Sequence, residues 1–503
     1  MMRSDPAEAD TLAPDLLQPW ASALRAGHRP CYLQLVDFIE QAVVEGTFNP
    51  GDRLPAQRSL AGRLGIDLTT VTRGFNEARR RGLIDSRGPL GTFVAAPRAA
   101  LELRVDLSMN VPPPPEGLNM HALLREGISR VLLGSDADLL MTYRLGGVPD
   151  DCAAGAKWLA PALGPVSPTR IAVCSGAQAA LAAIILSFSE PGAVVLSEPL
   201  VYPGLPHAVT SLGRRLETVA TDADGIRPDA LEAACRMHGA RLLYLNPTLQ
   251  NPIASTTPAT RRDELLRVAA RYGLRIVEDD PYWRFASDAP PPFARLAPSQ
   301  VCYVSTLSKA LAPGLRTAFV ALPDADAKAS FLHTLRSFSL IVEPLTNALA
   351  MQWIEEGLAA DIFDGVRGEA QERQRIAAQI LGRPEGEGIH LWYPLPRPSR
   401  AVDFAAAASA LGLAVAPSAA FEAGDRDGPD AANAIRISLG ASCERPRFES
   451  ALRTLSGLLS GQDRTGRRKA RFESNCRMNS ACRRRRPSRR TRFSMYGHVG
   501  RYT

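Results

Sequence analysis

Lysine is almost missing from this chain. Of its 59 basic residues only Lys157, Lys309, Lys328 and Lys469 are lysines; the rest are arginines. A guanidinium stays protonated near neutral pH and cannot attack a carbonyl, whereas an amine can. Covalent amine chemistry is therefore confined to four positions. Long apolar runs are missing too: the longest helical-looking one, Ala179 to Leu186, is less than half the ~20 residues of a membrane span. The eight cysteines show neither CxxC nor metal-ligand spacing, which argues against a zinc site and leaves free thiols in a reducing cytoplasm as the expectation. Met1 to Asp10 is acidic and polar, unlike a signal peptide.

What is present suits a soluble globular protein. Hydrophobic residues make up 45% and charged residues 22% of the 503, a length that predicts two or three domains. The net charge of +7 hides an asymmetry. Thirteen arginines and Lys469 against Asp463 and Glu473 leave residues 461–503 at +12, so residues 1–460 sum to −5. The tail, with Arg483 to Arg486 at its centre, is expected to be disordered. Residues 1–28, proline-rich and acidic, are expected to be a disordered extension.

The first periodic segment reads as a small helical domain over 29–97. Apolar positions Leu33, Val36, Phe38, Ile39, Ala42 and Val43 predict an amphipathic helix over 30–45. Pro50-Gly51-Asp52 breaks it, and Pro55 is placed to open a second helix. Gly65 turns the chain into a third helix, for which Thr69 and Thr70 are the expected caps and which runs to Gly82. Two short strands, 83–85 and 92–94, flank Arg87-Gly88-Pro89-Leu90-Gly91 as a hairpin. A tight turn between short helices, then a polar-fronted helix, is helix-turn-helix logic, although a plain helical bundle has the same periodicity. The literal run decides for the former. E-G-T-F-N-P-G-D-R-L-P-A-Q-R-S-L-A-G-R-L-G-I, then T-T-V-T-R, R-G-L-I-D-S-R and G-T-F-V-A resemble the GntR-type winged helix. The resemblance implies DNA contacts from Arg58, Thr69, Thr70 and the wing at Gly91; Arg73 joins them from its place on the third helix. Arg79, Arg80 and Arg81 add attraction or a solvated basic face. The family usually has Ser-Arg or Thr-Arg before the two threonines. Here Asp67-Leu68 stands instead, which removes an arginine and sets a carboxylate against phosphate.

A linker at 98–104 leads to a second domain, 105–460, in which short apolar strands alternate with helical stretches. That is the signature of an α/β fold with a mostly parallel sheet. Its chemistry centres on Ser305-Thr306-Leu307-Ser308-Lys309-Ala310-Leu311-Ala312-Pro313-Gly314-Leu315-Arg316. An amine among hydroxyls, with a guanidinium seven residues on, suits a Schiff base beside a phosphate monoester. This run resembles the lysine motif of fold-type I aminotransferases, in the version of the MocR-like regulators that join a GntR-type domain to an aminotransferase-like domain with a smaller C-terminal subdomain. Pyridoxal 5′-phosphate as an internal aldimine on Lys309 is then implied, with Thr306, Ser308 and Arg316 on the phosphate.

Other segments match the same family in order. Gly176, Ala177 and Gln178, between a predicted strand at 171–174 and a helix over 179–188, resemble the second half of the phosphate cup. Tyr202 resembles the aromatic that stacks on the pyridine ring. Asn246-Pro247-Thr248-Leu249-Gln250-Asn251-Pro252 is similar to N-P-x-x-Q-N-P-T-G, so Asn251 would meet the phenolic oxygen; Ile253-Ala254 replaces the Thr-Gly. Asp279 and Tyr282 match D-x-x-Y, Asp279 for the pyridinium nitrogen and Tyr282 for the phenolic oxygen. Tyr143 resembles the tyrosine that reaches the phosphate of a neighbouring subunit, which implies a homodimer. Arg436, in A-I-R-I-S-L-G, would clamp the carboxylate of an amino acid or amine effector; His390 reads as structural. The implied function is a cytoplasmic, PLP-dependent transcriptional regulator that binds operator DNA. The rival is an aminotransferase with a fused DNA-binding domain.

Overall fold

The computed structural model describes residues 30–44, 47–48, 51–81, 83–86, 91–94, 105–134, 139–141, 143–424, 432–440 and 443–460. The N-terminal extension, the linker at 98–104, the hairpin loop 87–90 and the basic tail lie outside them. The chain divides into two compact units, Met1–Arg104 and Val105–Thr503.

The first unit contains helices α1 (Cys31–Val44), α2 (Gln57–Leu64) and α3 (Leu68–Arg80), then strands β1 (Ile84–Ser86) and β2 (Thr92–Val94). Leu35, Val36 and Ile39 of α1 meet Leu60 of α2 and Val71, Phe75 and Ala78 of α3 in one core. Fully burying side chains of this size is worth about 1.5–3 kcal/mol each. Gly74 allows α3 to close on α1: a Cβ there would lie 3.1 Å from the carbonyl oxygen of Tyr32. β1 and β2 pair antiparallel, with Ile84 opposite Val94 and Ser86 opposite Thr92. Two expectations need correction. Pro55 lies outside α2, which starts at Gln57 after Ala56. The cap of α3 is Asp67, whose carboxylate accepts the Thr69 N–H, so Thr69 and Thr70 sit inside the first turn.

The second unit is built on a seven-stranded sheet. In chain order its strands are β3 (Ile171–Cys174), β4 (Val194–Ser197), β5 (Arg215–Thr218), β6 (Leu242–Leu245), β7 (Arg275–Asp279), β8 (Val301–Thr306) and β9 (Ala318–Ala321). Across the sheet they run β3-β9-β8-β7-β6-β4-β5. β9 is antiparallel to both neighbours and the remaining pairs are parallel. Alternate residues serve opposite faces. Val301 and Tyr303 of β8 join one core, Cys302 and Val304 the other. A strand buried on both faces must be apolar throughout, which makes β3, β4, β6, β7 and β8 legible; β5, a more exposed edge, carries no such run. α4 (Ala177–Phe188) covers one face, and helices Pro149–Leu163 and Pro344–Glu355 pack on the other. α4 begins two residues earlier than its apolar run, at Ala177.

A smaller three-stranded sheet holds β10 (His390–Pro394), β11 (Ala416–Pro417) and β12 (Ala434–Ser438), with β12 central and both pairs antiparallel. Val105–Asp106 pairs in parallel with Leu413–Ala414, tying the start of the unit to its end. No helix among the described residues is long and apolar enough to cross a membrane.

Ala254 stands where the aminotransferase pattern has glycine, and its φ is 62°. An L-residue in that conformation costs about 1–2 kcal/mol, against about 0.5–1 kcal/mol for the extra freedom glycine brings to the unfolded chain. Ala254→Gly is therefore expected to stabilise the protein by about 0.5–1 kcal/mol. A thermal melt checks this; an unchanged or lower midpoint contradicts it.

Candidate cofactor and effector site

The C-terminal ends of β3, β4, β6, β7 and β8 deliver the predicted residues to one place, where open α/β sheets build their sites. Lys309 lies on the short helix Leu307–Ala310 that follows β8. Its Nζ donates to the main-chain oxygen of Asn110 at 2.5 Å. Burial and the Arg436 charge lower its pKa to about 8, with Asp279 pulling the other way. A fraction of neutral amine is thus present near physiological pH, as a nucleophile requires. Asp279 ends β7 and accepts a hydrogen bond from the Tyr244 hydroxyl at 2.8 Å. Burial raises its pKa to about 6, opposed by Tyr244 and Lys309.

Asn251 and Arg436 meet directly: Nη1 of Arg436 donates to Oδ1 of Asn251 at 2.6 Å. A second Arg436 nitrogen donates to the carbonyl of Ser108. Its Nε is buried without a partner, and burial lowers the guanidinium to about 10. The β6–β7 end is held by Asn246, which donates to the Asp279 carbonyl at 2.6 Å and accepts from the Asn251 N–H at 2.7 Å. Tyr282 is fully buried, and its hydroxyl accepts from Nδ2 of Asn110 at 2.8 Å. Tyr202 lies close enough to Asp279 and Arg316 for both to act on its ionisation, which burial opposes most.

The phosphate-cup residues also converge. Gly176 has φ 90°, and a Cβ there would lie 2.8 Å from Nη2 of Arg316. Ala177 and Gln178 open α4. Nε2 of Gln178 donates to the Gly204 carbonyl at 2.9 Å, while its Oε1 is buried and unpartnered. Thr306 caps the helix that carries Lys309: its oxygen accepts the Ser308 N–H at 3.2 Å and lies 3.0 Å from the Ser308 hydroxyl. Its own proton points to the Thr317 carbonyl at 3.1 Å. Tyr143 stands apart, 76% exposed, and this chain does not bring it to the others.

In the first unit Arg58, Thr69 and Arg73 are exposed and Thr70 is partly so. Thr69 donates its hydroxyl to Asp67 at 2.5 Å, so Asp67 organises the front of α3 as well as replacing a cation. Arg73 packs over the Tyr32 ring at 4.3 Å. Arg80 and Arg81 pair with Glu77, and Arg81 also faces Asp37 and Glu40. Gly91, at φ 111°, lies against Arg53, whose Nε would be 2.9 Å from a Cβ.

Sequence reasoning passed over Asn110, Tyr244 and Arg53, and left His390 as structural. Tyr244 reads as one more apolar strand residue. Asn110 follows a short strand with no motif of its own. Arg53 lies inside a matched run but was not singled out.

The aminotransferase class I and II family matches residues 105–455. The chain belongs to that family. The bacterial regulatory protein gntR family matches residues 31–94, and the two together make the MocR-like architecture. The HTH-type transcriptional regulator YdeF of Bacillus subtilis is 26% identical, over 88% of this chain and 96% of that protein. The pyridoxine biosynthesis regulator PdxR of Corynebacterium glutamicum is 25% identical, over 72% and 83%. The crystal structure of LysN, an alpha-aminoadipate aminotransferase of Thermus thermophilus complexed with N-(5′-phosphopyridoxyl)-L-leucine, superposes with TM-score 0.65 at 26% identity, covering 72% of this chain and 94% of that one. Pyridoxal 5′-phosphate is the cofactor of this fold. The residues fit it: the Lys309 amine has Asp279, Arg436 and Arg316 close enough to act on its ionisation, and among the described residues Gln178 and Arg436 each keep a buried polar atom without a partner.

The native state holds the Asp279 proton more tightly than the unfolded chain does. Stability from this group is full below its ordinary value of 3.8 and is lost as pH rises through about 6. Without cofactor at pH 7.5, Asp279→Asn is expected to be more stable than the parent by about 1–3 kcal/mol, and at pH 3.5 the gain should vanish. Denaturant melts at the two pH values check this; a loss at pH 7.5 contradicts it.

Proposed function

We propose that the protein is a cytoplasmic, homodimeric, PLP-dependent transcriptional regulator that senses an amino-group effector. The observation that carries the reading is a lysine amine with a pKa lowered to about 8, buried with Asp279 and Arg436, in a chain that also bears a gntR-family winged helix. When bound, the cofactor supplies a carbonyl for amines and an electron-accepting ring.

Each residue then has a role. Lys309 is the covalent attachment point. Gly176, Ala177, Gln178, Thr306, Ser308 and Arg316 hold the phosphate. Thr306 holds the phosphate by turning its hydroxyl proton from the Thr317 carbonyl to a phosphate oxygen, while its oxygen keeps the Ser308 N–H. Asp279 faces the ring nitrogen, Tyr202 stacks on the ring, and Asn251 and Tyr282 hold the phenolic oxygen. Arg436, whose buried charge meets no carboxylate in direct contact among the described residues, receives the carboxylate of the effector; its present partners Asn251 and Ser108 are neutral. Exposed Tyr143 reaches the site of a second copy. On DNA, Arg58, Thr70, Arg73, Gly91 and Arg53 make the contacts, and Thr69 acts as an acceptor because Asp67 takes its proton.

Effector occupancy changes operator affinity only if the effector binds the two states of the protein unequally. Turnover is the second reading, favoured by the full set of reactive side chains and by the likeness to LysN.

The test is the visible spectrum of the purified protein with PLP, before and after a panel of amino acids and amines. A yellow band that requires Lys309, is absent in Lys309→Ala and shifts with one amino compound is expected. Well-folded protein without a band sinks the proposal. Keto acid accumulating in the same sample favours the enzyme.

A further inference from the structure

A buried hydrogen-bond relay runs behind the site, and its directions can be deduced. Nε2 of His390 lies 3.2 Å from the main-chain oxygen of Gln250. A carbonyl only accepts, so Nε2 carries the proton. The ring is neutral: burial and the nearby Arg436 charge hold its pKa down at about 3. Nδ1 is therefore bare, and its neighbour at 3.1 Å, the Asn110 amide, must be the donor. This fixes the Asn110 orientation independently of the Tyr282 contact. The second N–H of that amide reaches the Tyr282 hydroxyl oxygen at 2.8 Å. Since Tyr282 accepts there, its own proton is left for another acceptor, and the described residues provide none. The Asn110 main-chain oxygen meanwhile takes the hydrogen bond of Lys309.

We infer that His390 and Asn110 are positioning residues that hold the Tyr282 hydroxyl as a donor toward the site and tie that orientation to the amine of Lys309. The inference rests on the role proposed for Tyr282 at the cofactor's phenolic oxygen. His390 contributes from β10 of the smaller sheet, Asn110 from the segment after Val105–Asp106, and Tyr282 from just beyond β7. The relay thus joins the smaller subdomain to the large sheet through one polar path. The rings of His390 and Tyr282 are 5.4 Å apart, which keeps the path closely packed. The charged or titratable groups acting on Tyr282 are Arg436, Asp279 and Tyr202; those acting on His390 are Arg436 and Lys309.

A hydroxyl donor stabilises a phenolic oxygen most when the neighbouring proton has left and its negative charge is full. Losing the donor should therefore raise the pH at which the bound cofactor's visible absorption changes. The experiment titrates that absorption in the full-length, PLP-loaded protein and in four variants. Tyr282→Phe is expected to raise the midpoint. His390→Leu and Asn110→Ala are expected to raise it too, by about 0.3–1 pH unit. His390→Asn, whose amide oxygen replaces Nδ1 as acceptor, should stay near the parent. Should His390→Leu not fold, Asn110→Ala reads the same hydrogen bond from its other end. A shift in Tyr282→Phe with none in the His390→Leu and Asn110→Ala proteins overturns the relay. No shift in Tyr282→Phe overturns instead the role assigned to Tyr282.

Discussion

Burying Lys309 and Asp279 together is the constraint from which the rest of the large unit follows. Taking either charge out of water is costly, and the attraction of the other offsets only part of that cost. Burial drives their pKa values toward each other, to about 8 and about 6. Arg436 adds a second cation to the same space, with its Nε unpartnered. One carboxylate, Asp279, against Lys309, Arg436 and Arg316 leaves a positive excess, which suits ligands that bring phosphate and carboxylate with them. Parallel strands make the arrangement possible. Their C-terminal ends lie side by side, so residues distant in sequence arrive within hydrogen-bond reach without any long loop.

A second buried charge cluster lies just beneath. Arg262 and Glu278, both fully buried, approach to 3.7 Å. Glu278 also accepts the N–H groups of Phe293 and Ala294, and Arg262 donates to four oxygens, on Thr257, Pro291, Pro247 and Thr248. Such a satisfied pair adds little net stability but a great deal of definition. It fixes the loop that carries Asn246 and Asn251 to the strand that carries Asp279. Adjacent acids at 278–280 look like a solvated turn in the sequence; in the fold all three are buried.

What could be read from the sequence was local. Five of the seven strands of the large sheet were visible as apolar runs, while the exposed edge Arg215–Thr218 and the antiparallel Ala318–Ala321 were not read; the stretch from Thr306 to Arg316 carried its chemistry within a few residues. Capping was misjudged because Asp67 was read for its charge alone, when its geometry makes it the helix cap. The glycine-less turn at Ala254 keeps its left-handed φ, so the motif survives its own departure. Asn110, His390 and Tyr244 escaped for a different reason. Their partners are 172, 280 and 35 residues away in sequence, and nothing at either end marks the contact. Polar side chains are specified there by tertiary burial, which leaves no periodic trace.

The proposed regulation requires that occupancy of the large unit's site act on the winged helix. Both units sit on one chain, and coupling between them is a free-energy difference that must appear at either site. The most direct measurement is the affinity of the PLP-loaded protein for a duplex selected from a random-sequence library, by fluorescence anisotropy at fixed salt, with and without the amino compound that shifts its spectrum. A change of about 5-fold or more, lost in Lys309→Ala and Arg436→Ala, is the predicted result. Equal affinity in both states, with tight binding of duplex and amino compound alike, would contradict the account and leave two activities on one chain that do not communicate.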